Sequence, residues 1–204
     1  MTIAQEVLDM AAGDPRSPAW QQIWNFPSPD GVRVIPEPAI LPWLARTCAA
    51  FTPTDRVEVL ELAGVVARTA DAKSRTAYAP EIAALRVFAS EALANEAFHD
   101  YTFVRLLMAD LGLCGEGVWS SELSVVNGGE VEVDCPECGE ELLLCLEPGQ
   151  STIEPGLSSE LAGRLHAAAV RAGRESVATA LSRLFGCFTC PGCSATFDIA
   201  GQVG

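Results

Sequence analysis

Apolar positions recur with a helical period through the first half of the chain and with a period of two near its end. Residues 2–12 place Ile3, Val7 and Leu8 on one stripe, and Thr2 with Gln5 forms a capping pair, so this stretch predicts a short helix. Ser17 before Pro18 opens a second short helix carrying Trp20, Ile23 and Trp24. Residues 27–38 hold four prolines and the turn dipeptide Asp30-Gly31, with Val32, Val34 and Ile35 as an extended piece. That punctuation predicts an exposed loop of the kind that carries function.

Four longer helices follow. Pro42 opens the first, which runs to about Phe51 with Trp43, Leu44 and Cys48. Thr54 is the expected cap of the second, over about 55–69, whose Val57, Val59, Leu60, Leu62, Val65 and Val66 are apolar nearly all round and mark a central helix. The third runs from Pro80 to about Ala94, with Ile82, Leu85, Phe88, Ala89, Ala92 and Leu93 on one face. The fourth starts near Asp100, carries Phe103, Val104, Leu107, Met108 and Leu111, and is expected to stop at Gly112 as a C-terminal cap. The first two are joined by about three residues, which makes them an antiparallel hairpin. The pattern predicts stacked antiparallel helical hairpins of the HEAT type, without a clean internal sequence repeat.

A small-residue linker over 115–129 then gives way to strict alternation. Val131, Val133 and Cys135 interleave with Glu130, Glu132 and Asp134, the signature of a strand with one acidic, solvated face. Residues 140–146 are its return strand, and Phe188 and 195–199 flank a second such hairpin. Between them Leu161, Leu165, Ala168 and Ala172 stripe one helix ended by Gly173, and Val177, Ala180, Leu181, Leu184 and Phe185 stripe another ended by Gly186. The fold class is therefore mainly α with a small β part. A helical-hairpin region over 1–114 precedes a region over 115–204, in which two β-hairpins are split by an inserted helical hairpin at 157–186. Both inserted stripes need a surface to cover them, so the second region is expected to pack on the first as one body.

Each β-hairpin carries a cysteine pair at its tip: Cys135-Pro136-Glu137-Cys138-Gly139 and Cys190-Pro191-Gly192-Cys193. Two residues between cysteines let a tight turn aim both thiolates at one point, and two such knuckles make a tetrahedral four-thiolate site suited to Zn²⁺. The ligands read from this spacing are Cys135, Cys138, Cys190 and Cys193, forming a structural zinc ribbon. Cys187 also stands three residues before Cys190, so the register is open; the shared C-P-x-C form favours Cys190 with Cys193. Cys145 and Cys187 are then left over, either as small buried side chains or as a reserve for an iron–sulfur cluster or ligand exchange.

Proline-marked helices, then V-E-V-D-C-P-E-C-G, then L-F-G-C-F-T-C-P-G-C, together resemble a group of uncharacterised bacterial HEAT-like helical proteins with a split C-terminal four-cysteine zinc ribbon. The specific part of the resemblance is confined to residues 131–139 and 184–193. It implies a zinc-stabilised helical protein and no substrate.

Charge narrows the function classes. The 204 residues carry 27 acidic and 13 basic side chains, a net charge of −14. No Lys or Arg falls between Arg105 and Arg164, an interval that contains the first knuckle and twelve acidic residues. Four thiolates around one divalent ion add about −2. Nucleic-acid affinity needs the opposite sign, so a nucleic-acid partner is disfavoured, whereas a basic protein partner suits this surface; plain solubility is the alternative reading of the charge. The first residues lack the basic and apolar regions of a signal peptide, and no apolar run is long enough for a membrane span. Eight cysteines, six of them around the knuckles, fit a reducing compartment, and the expected location is cytoplasmic.

Catalytic signals are sparse. His99 lies beside Asp100 at a helix start, and His166 follows Leu165 with no acidic neighbour one turn on. Glu91, Glu96, Asp100 and Asp110 recur along two helices, either as a carboxylate cluster or as solvated faces. Trp20 and Trp24 are either core anchors or the lining of a groove. No phosphate loop, dinucleotide fingerprint, G-x-S-x-G or H-E-x-x-H occurs. The sequence therefore favours a non-enzymatic interaction protein with an inhibitory, immunity-type or regulatory role. An enzyme or accessory protein of a small-molecule pathway, with a pocket between the N-terminal helices, comes second, and a nucleic-acid-binding ribbon third.

Overall fold

The computed structural model describes residues 3–25, 35–149, 153–157 and 159–203. The chain divides into two compact units, Met1–Asn95 with Arg105–Ser120, and Glu96–Val104 with Ser121–Gly204. It is mainly helical, and its two short β-hairpins flank a helical hairpin in a split zinc-ribbon-like arrangement.

In the first unit, α1 (Gln5–Gly13) packs on α2 (Ala19–Trp24). Helix α1 begins later than the sequence suggests: its N-cap is Ala4, with no side-chain cap, and Gln5 bonds forward to Asp9 Oδ1 at 2.8 Å. The expected cap Thr2 lies outside the described residues, as do 26–34 of the proline-rich segment; residues 35–37 are non-helical and lead into a 3₁₀ turn, Pro38–Ile40. At α2 the Ser17 hydroxyl accepts the Ala19 N–H at 3.2 Å. Trp20 is buried against Trp43 and Phe51, ring centroids 5.6 and 6.4 Å away, so it is a core anchor.

Helices α3 (Leu41–Ala50), α4 (Val57–Thr69) and α6 (Ala79–Leu93) pack pairwise around Leu41, Leu44, Cys48, Leu60, Leu62 and Leu85, all fully buried. Thr54 does not cap α4. It sits in a 3₁₀ turn, Pro53–Asp55, and α4 starts after Arg56 because that side chain turns back into the core. Its Nε donates to the carbonyls of Cys48 and Phe51 (2.9 and 3.1 Å), its Nη1 pairs with Glu91 at 2.6 Å, and its guanidinium lies 4.5 Å from the Phe88 ring. Two of the carbonyls at the end of α3, those of Cys48 and Phe51, are thereby satisfied.

A helix absent from the sequence reading, α5 (Ala72–Ala77), is capped by Asp71, whose Oδ1 accepts the Ser74 N–H at 2.7 Å. Its Arg75 donates to Ala67 O (2.6 Å) in the last turn of α4 and to Leu113 O (2.6 Å) in the last turn of α7 (Asp100–Cys114). One cation thus neutralises two helix C-termini. Helix α7 also corrects an expectation: it runs through Gly112 to Cys114, and Gly115 takes the positive φ of 79° beyond its end. Gly112 serves a backbone crossing instead. A Cβ there would stand closer to Gly64 O than any real contact, and one on Gly64 would lie 2.6 Å from Ala109 Cα. Only glycines let α4 and α7 approach this closely.

The stretch expected as a linker contains two short helices, α8 (Trp119–Glu122), which begins in the first unit, and α9 (Val125–Gly128) in the second. Gly129 closes α9 at φ 73° and starts β1 (Glu130–Asp134), which pairs antiparallel with β2 (Glu141–Cys145) in the register Val131 opposite Leu144 and Val133 opposite Leu142. The alternation of β1 is real, with Val131 and Val133 inward and the acids outward. Helices α10 (Glu160–Arg171) and α11 (Glu175–Leu184) form the inserted hairpin, closed by Gly173 at φ 67°, with the Ser159 hydroxyl accepting the Ala162 N–H at 3.0 Å as N-cap. The last hairpin pairs β3 (Cys187–Thr189) with β4 (Thr196–Asp198), and Phe188 meets Phe197 edge-on with centroids 6.0 Å apart.

Candidate metal centre

The two knuckles fold by the same local rules. In the first, the Cys135 N–H donates to Glu140 O at 2.9 Å and the Gly139 N–H to Cys135 O at 2.8 Å, with Gly139 at φ 70°. In the second, the Cys190 N–H donates to Ala195 O at 2.8 Å and the Ser194 N–H to Cys190 O at 2.9 Å, with Ser194 at φ 64°. Each turn closes only with a residue in the left-handed region, which glycine enters freely and serine at a cost.

These turns bring Cys135, Cys138, Cys190 and Cys193 together, their sulfurs all within 4.8 Å of one another. Cys135 Sγ lies 3.6 Å from Cys193 Sγ, and Cys138 Sγ lies 3.7 Å from Cys190 Sγ. A tetrahedral ion with bonds of about 2.3 Å to sulfur requires sulfurs about 3.8 Å apart, so the cage already has the size of such a shell. Cys135 and Cys190 are buried, while Cys138 and Cys193 are exposed. Backbone N–H groups of Glu137 and Cys138 point at the Cys135 sulfur, those of Gly192 and Cys193 at Cys190, and that of Glu140 at Cys138.

These donors set the proton distribution. Burial opposes ionisation of Cys135, but the N–H bonds from Cys138 and Glu137, with the thiols of Cys138 and Cys193, outweigh it and bring the group down to about 7. Burial pushes Cys190 up to about 12, with the Cys135 and Cys138 contacts adding to it. At Cys138 the Glu140 N–H favours the thiolate, yet the hydrogen bonds to Cys135 and Cys193 hold its proton and raise it. Four cysteine sulfurs at this spacing form a site geometrically able to coordinate a metal ion. The Glu140 carboxylate crosses from the first knuckle to the second, its Oε2 3.4 Å from Cys190 Sγ, a placement that the sequence did not suggest.

Among the described residues these four cysteines are the one group of His, Cys, Asp or Glu side chains gathered closely enough to hold an ion. Cys145 and Cys187 are not part of it. Cys187 is exposed, contrary to the reading of a buried apolar side chain, because β3 alternates and turns Phe188 inward. The helical carboxylates do not form a cluster: Glu91 pairs with Arg56, Asp100 with Arg174 at 3.6 Å, and Asp110 with Arg86 at 3.9 Å. His99 is exposed at the start of α7, and His166 is half-buried on α10. A buried acid that the sequence reading passed over, Glu61, lies on α4 beside Arg105. The signal for it was a Glu flanked on both sides by apolar residues, Leu60 and Leu62, in the middle of the central helix.

No helix among the described residues is long and apolar enough to cross a membrane. Comparison with known proteins finds no matching family model, no matching curated protein and no matching solved structure.

Proposed function

We propose that this chain is a non-enzymatic interaction protein, braced by a structural Zn²⁺ held by Cys135, Cys138, Cys190 and Cys193, whose acidic surface engages a basic protein in a reducing, cytoplasmic setting. The observation that carries the reading is the four-sulfur cage itself. Four protein thiolates fill the tetrahedral shell, which leaves no position for a reacting water, so the ion supports the fold instead of doing chemistry. The charge supplies the partner class: acidic groups outnumber basic ones by 27 to 13, so a net charge of −14 remains even when every base is matched. Nucleic acid remains disfavoured by the same sign.

The test has two parts. Purified protein is expected to hold one zinc per chain by mass spectrometry and to keep it after Cys187→Ser but not after Cys138→Ser; loss of zinc in Cys187→Ser overturns the ligand set. Affinity capture from the host extract at low salt is then expected to retain a basic protein at equal stoichiometry that leaves at high salt. A partner indifferent to ionic strength removes the electrostatic argument.

A further inference from the structure

Beside the Gly64–Gly112 crossing, α4 and α7 line a slot of about 120 Å³ together with Trp24 and Ser120; Glu61, Val65, Arg105, Met108 and Ala109 supply its helical walls. Its walls are mostly apolar. The exception is an acidic group at one end: Arg105 pairs closely with Glu61 and lies 3.9 Å from Glu58, and the Trp24 indole N–H donates to Glu58 Oε2 at 3.0 Å. Two carboxylates therefore share one guanidinium. Arg68, which donates to the Ser120 carbonyl at 3.1 Å, stands seven residues further along α4, about 10 Å away by helical rise.

Glu61 is only 8% exposed, and its Oε1 has no hydrogen-bond partner among the described residues. A buried acceptor left unmatched is costly, and a carboxylate more so than a neutral group. Burial holds the Glu61 carboxyl up at about 7 in spite of Arg105, so that single cation does not compensate its charge. Glu61 is itself one of the residues that line the slot, so the unmatched acceptor belongs to its wall.

We propose that this slot binds a primary ammonium on a short alkyl chain, with the nitrogen against Glu61 and Glu58 and the alkyl body between Val65, Met108 and Trp24. The ammonium brings the donors and the positive charge that the two acids lack, and the apolar walls take the methylenes. Size agrees: a cavity of about 150 Å³ accommodates a six-carbon ring, so this one holds about five heavy atoms. n-Butylammonium has that size, as does the end of a lysine side chain. The inference stands apart from the interaction reading, and neither depends on the other.

The experiment is a titration of the full chain with n-butylammonium chloride, followed by ¹⁵N–¹H spectra at fixed ionic strength, with n-butanol as the uncharged isostere. Saturable shifts are expected at Glu61, Val65, Arg105 and Met108, with at least tenfold weaker binding of butanol. Glu61→Gln is expected to lower ammonium affinity at least tenfold, and Val65→Phe, which fills the slot without touching the acids, to abolish it. No saturable shift, equal affinity for butanol, or unchanged binding in a folded Glu61→Gln protein overturns the proposal. Should Glu61→Gln fail to fold, the Val65→Phe and butanol arms decide it. An acetylated lysine tripeptide separates the two sources of the ammonium: tighter binding than n-butylammonium assigns the slot to a protein lysine, and weaker binding to a free amine, both of which sustain the ammonium assignment.

Discussion

Ser194 occupies, at φ 64°, the position that Gly139 fills at φ 70° in the first knuckle. An L-residue held in the left-handed region costs about 1–2 kcal/mol, so Ser194→Gly is expected to stabilise the loaded protein by roughly 1 kcal/mol in chemical denaturation. Arg56 is the opposite case, a buried cation satisfied on every side by Cys48 O, Phe51 O, Glu91 and Phe88. Arg56→Met removes the partner of two carbonyls at a helix end, and a loss of about 3 kcal/mol is expected; Glu91→Gln, on the half-exposed side of the pair, is expected to cost below about 1 kcal/mol. Glu61 makes stability depend on pH. Its folded carboxyl is raised from the ordinary 4.5 to about 7, with burial the main cause. The native state therefore binds this proton more tightly than the unfolded chain, and the contribution of Glu61 to stability falls as pH rises from 4.5 to about 7. At roughly 1.4 kcal/mol per pH unit this amounts to about 3 kcal/mol. Urea titrations of wild type and Glu61→Gln across that window are expected to diverge in favour of the variant with rising pH; parallel curves would show that Arg105 fully compensates the charge.

Among the elements, the α4–α7 crossing depends on having no side chain at two positions. Gly112→Ala places a Cβ against the Gly64 backbone, which cannot yield as a flexible side chain does, so a destabilisation of about 1–3 kcal/mol is expected. The sequence reading took Gly112 for a helix stop because a glycine after an apolar run has the same local appearance in both roles. The true stop, Gly115, lies three residues on, where the Arg75 guanidinium covers the helix end. Helix α5 escaped notice for a related reason: it is short and buries no residue fully, so it has no apolar stripe to read. Its identifying signal was the Asp71–Ser74 cap, and its purpose is Arg75, whose targets on α4 and α7 are distant in sequence.

For the molecule as a whole, the proposed zinc would make the folding of the second unit's hairpins conditional on metal. Its hairpins have five- and three-residue strands, too short to persist as isolated pairs in water. A four-thiolate zinc site is worth on the order of 10 kcal/mol of apparent binding energy, most of it coupled to folding. Removing the ion with a strong chelator is expected to strip hydrogen-exchange protection from β1 to β4 and to lower the thermal midpoint; retained protection in those strands would mean that the cage stands without metal. By itself the sequence determined the helical character, the period-two hairpins, the inserted helical pair and the two cysteine knuckles, because each rests on residues close in the chain, where spacing and backbone chemistry suffice. The shared C-P-x-C form already favoured Cys190 with Cys193; tertiary structure alone decided that Gly64 and Gly112 are crossing points and that Glu61 is a buried acid beside a slot. Those outcomes turn on which face of an element meets which neighbour, and that is set by packing between segments far apart in the chain, such as Cys135 and Cys193, 58 residues apart.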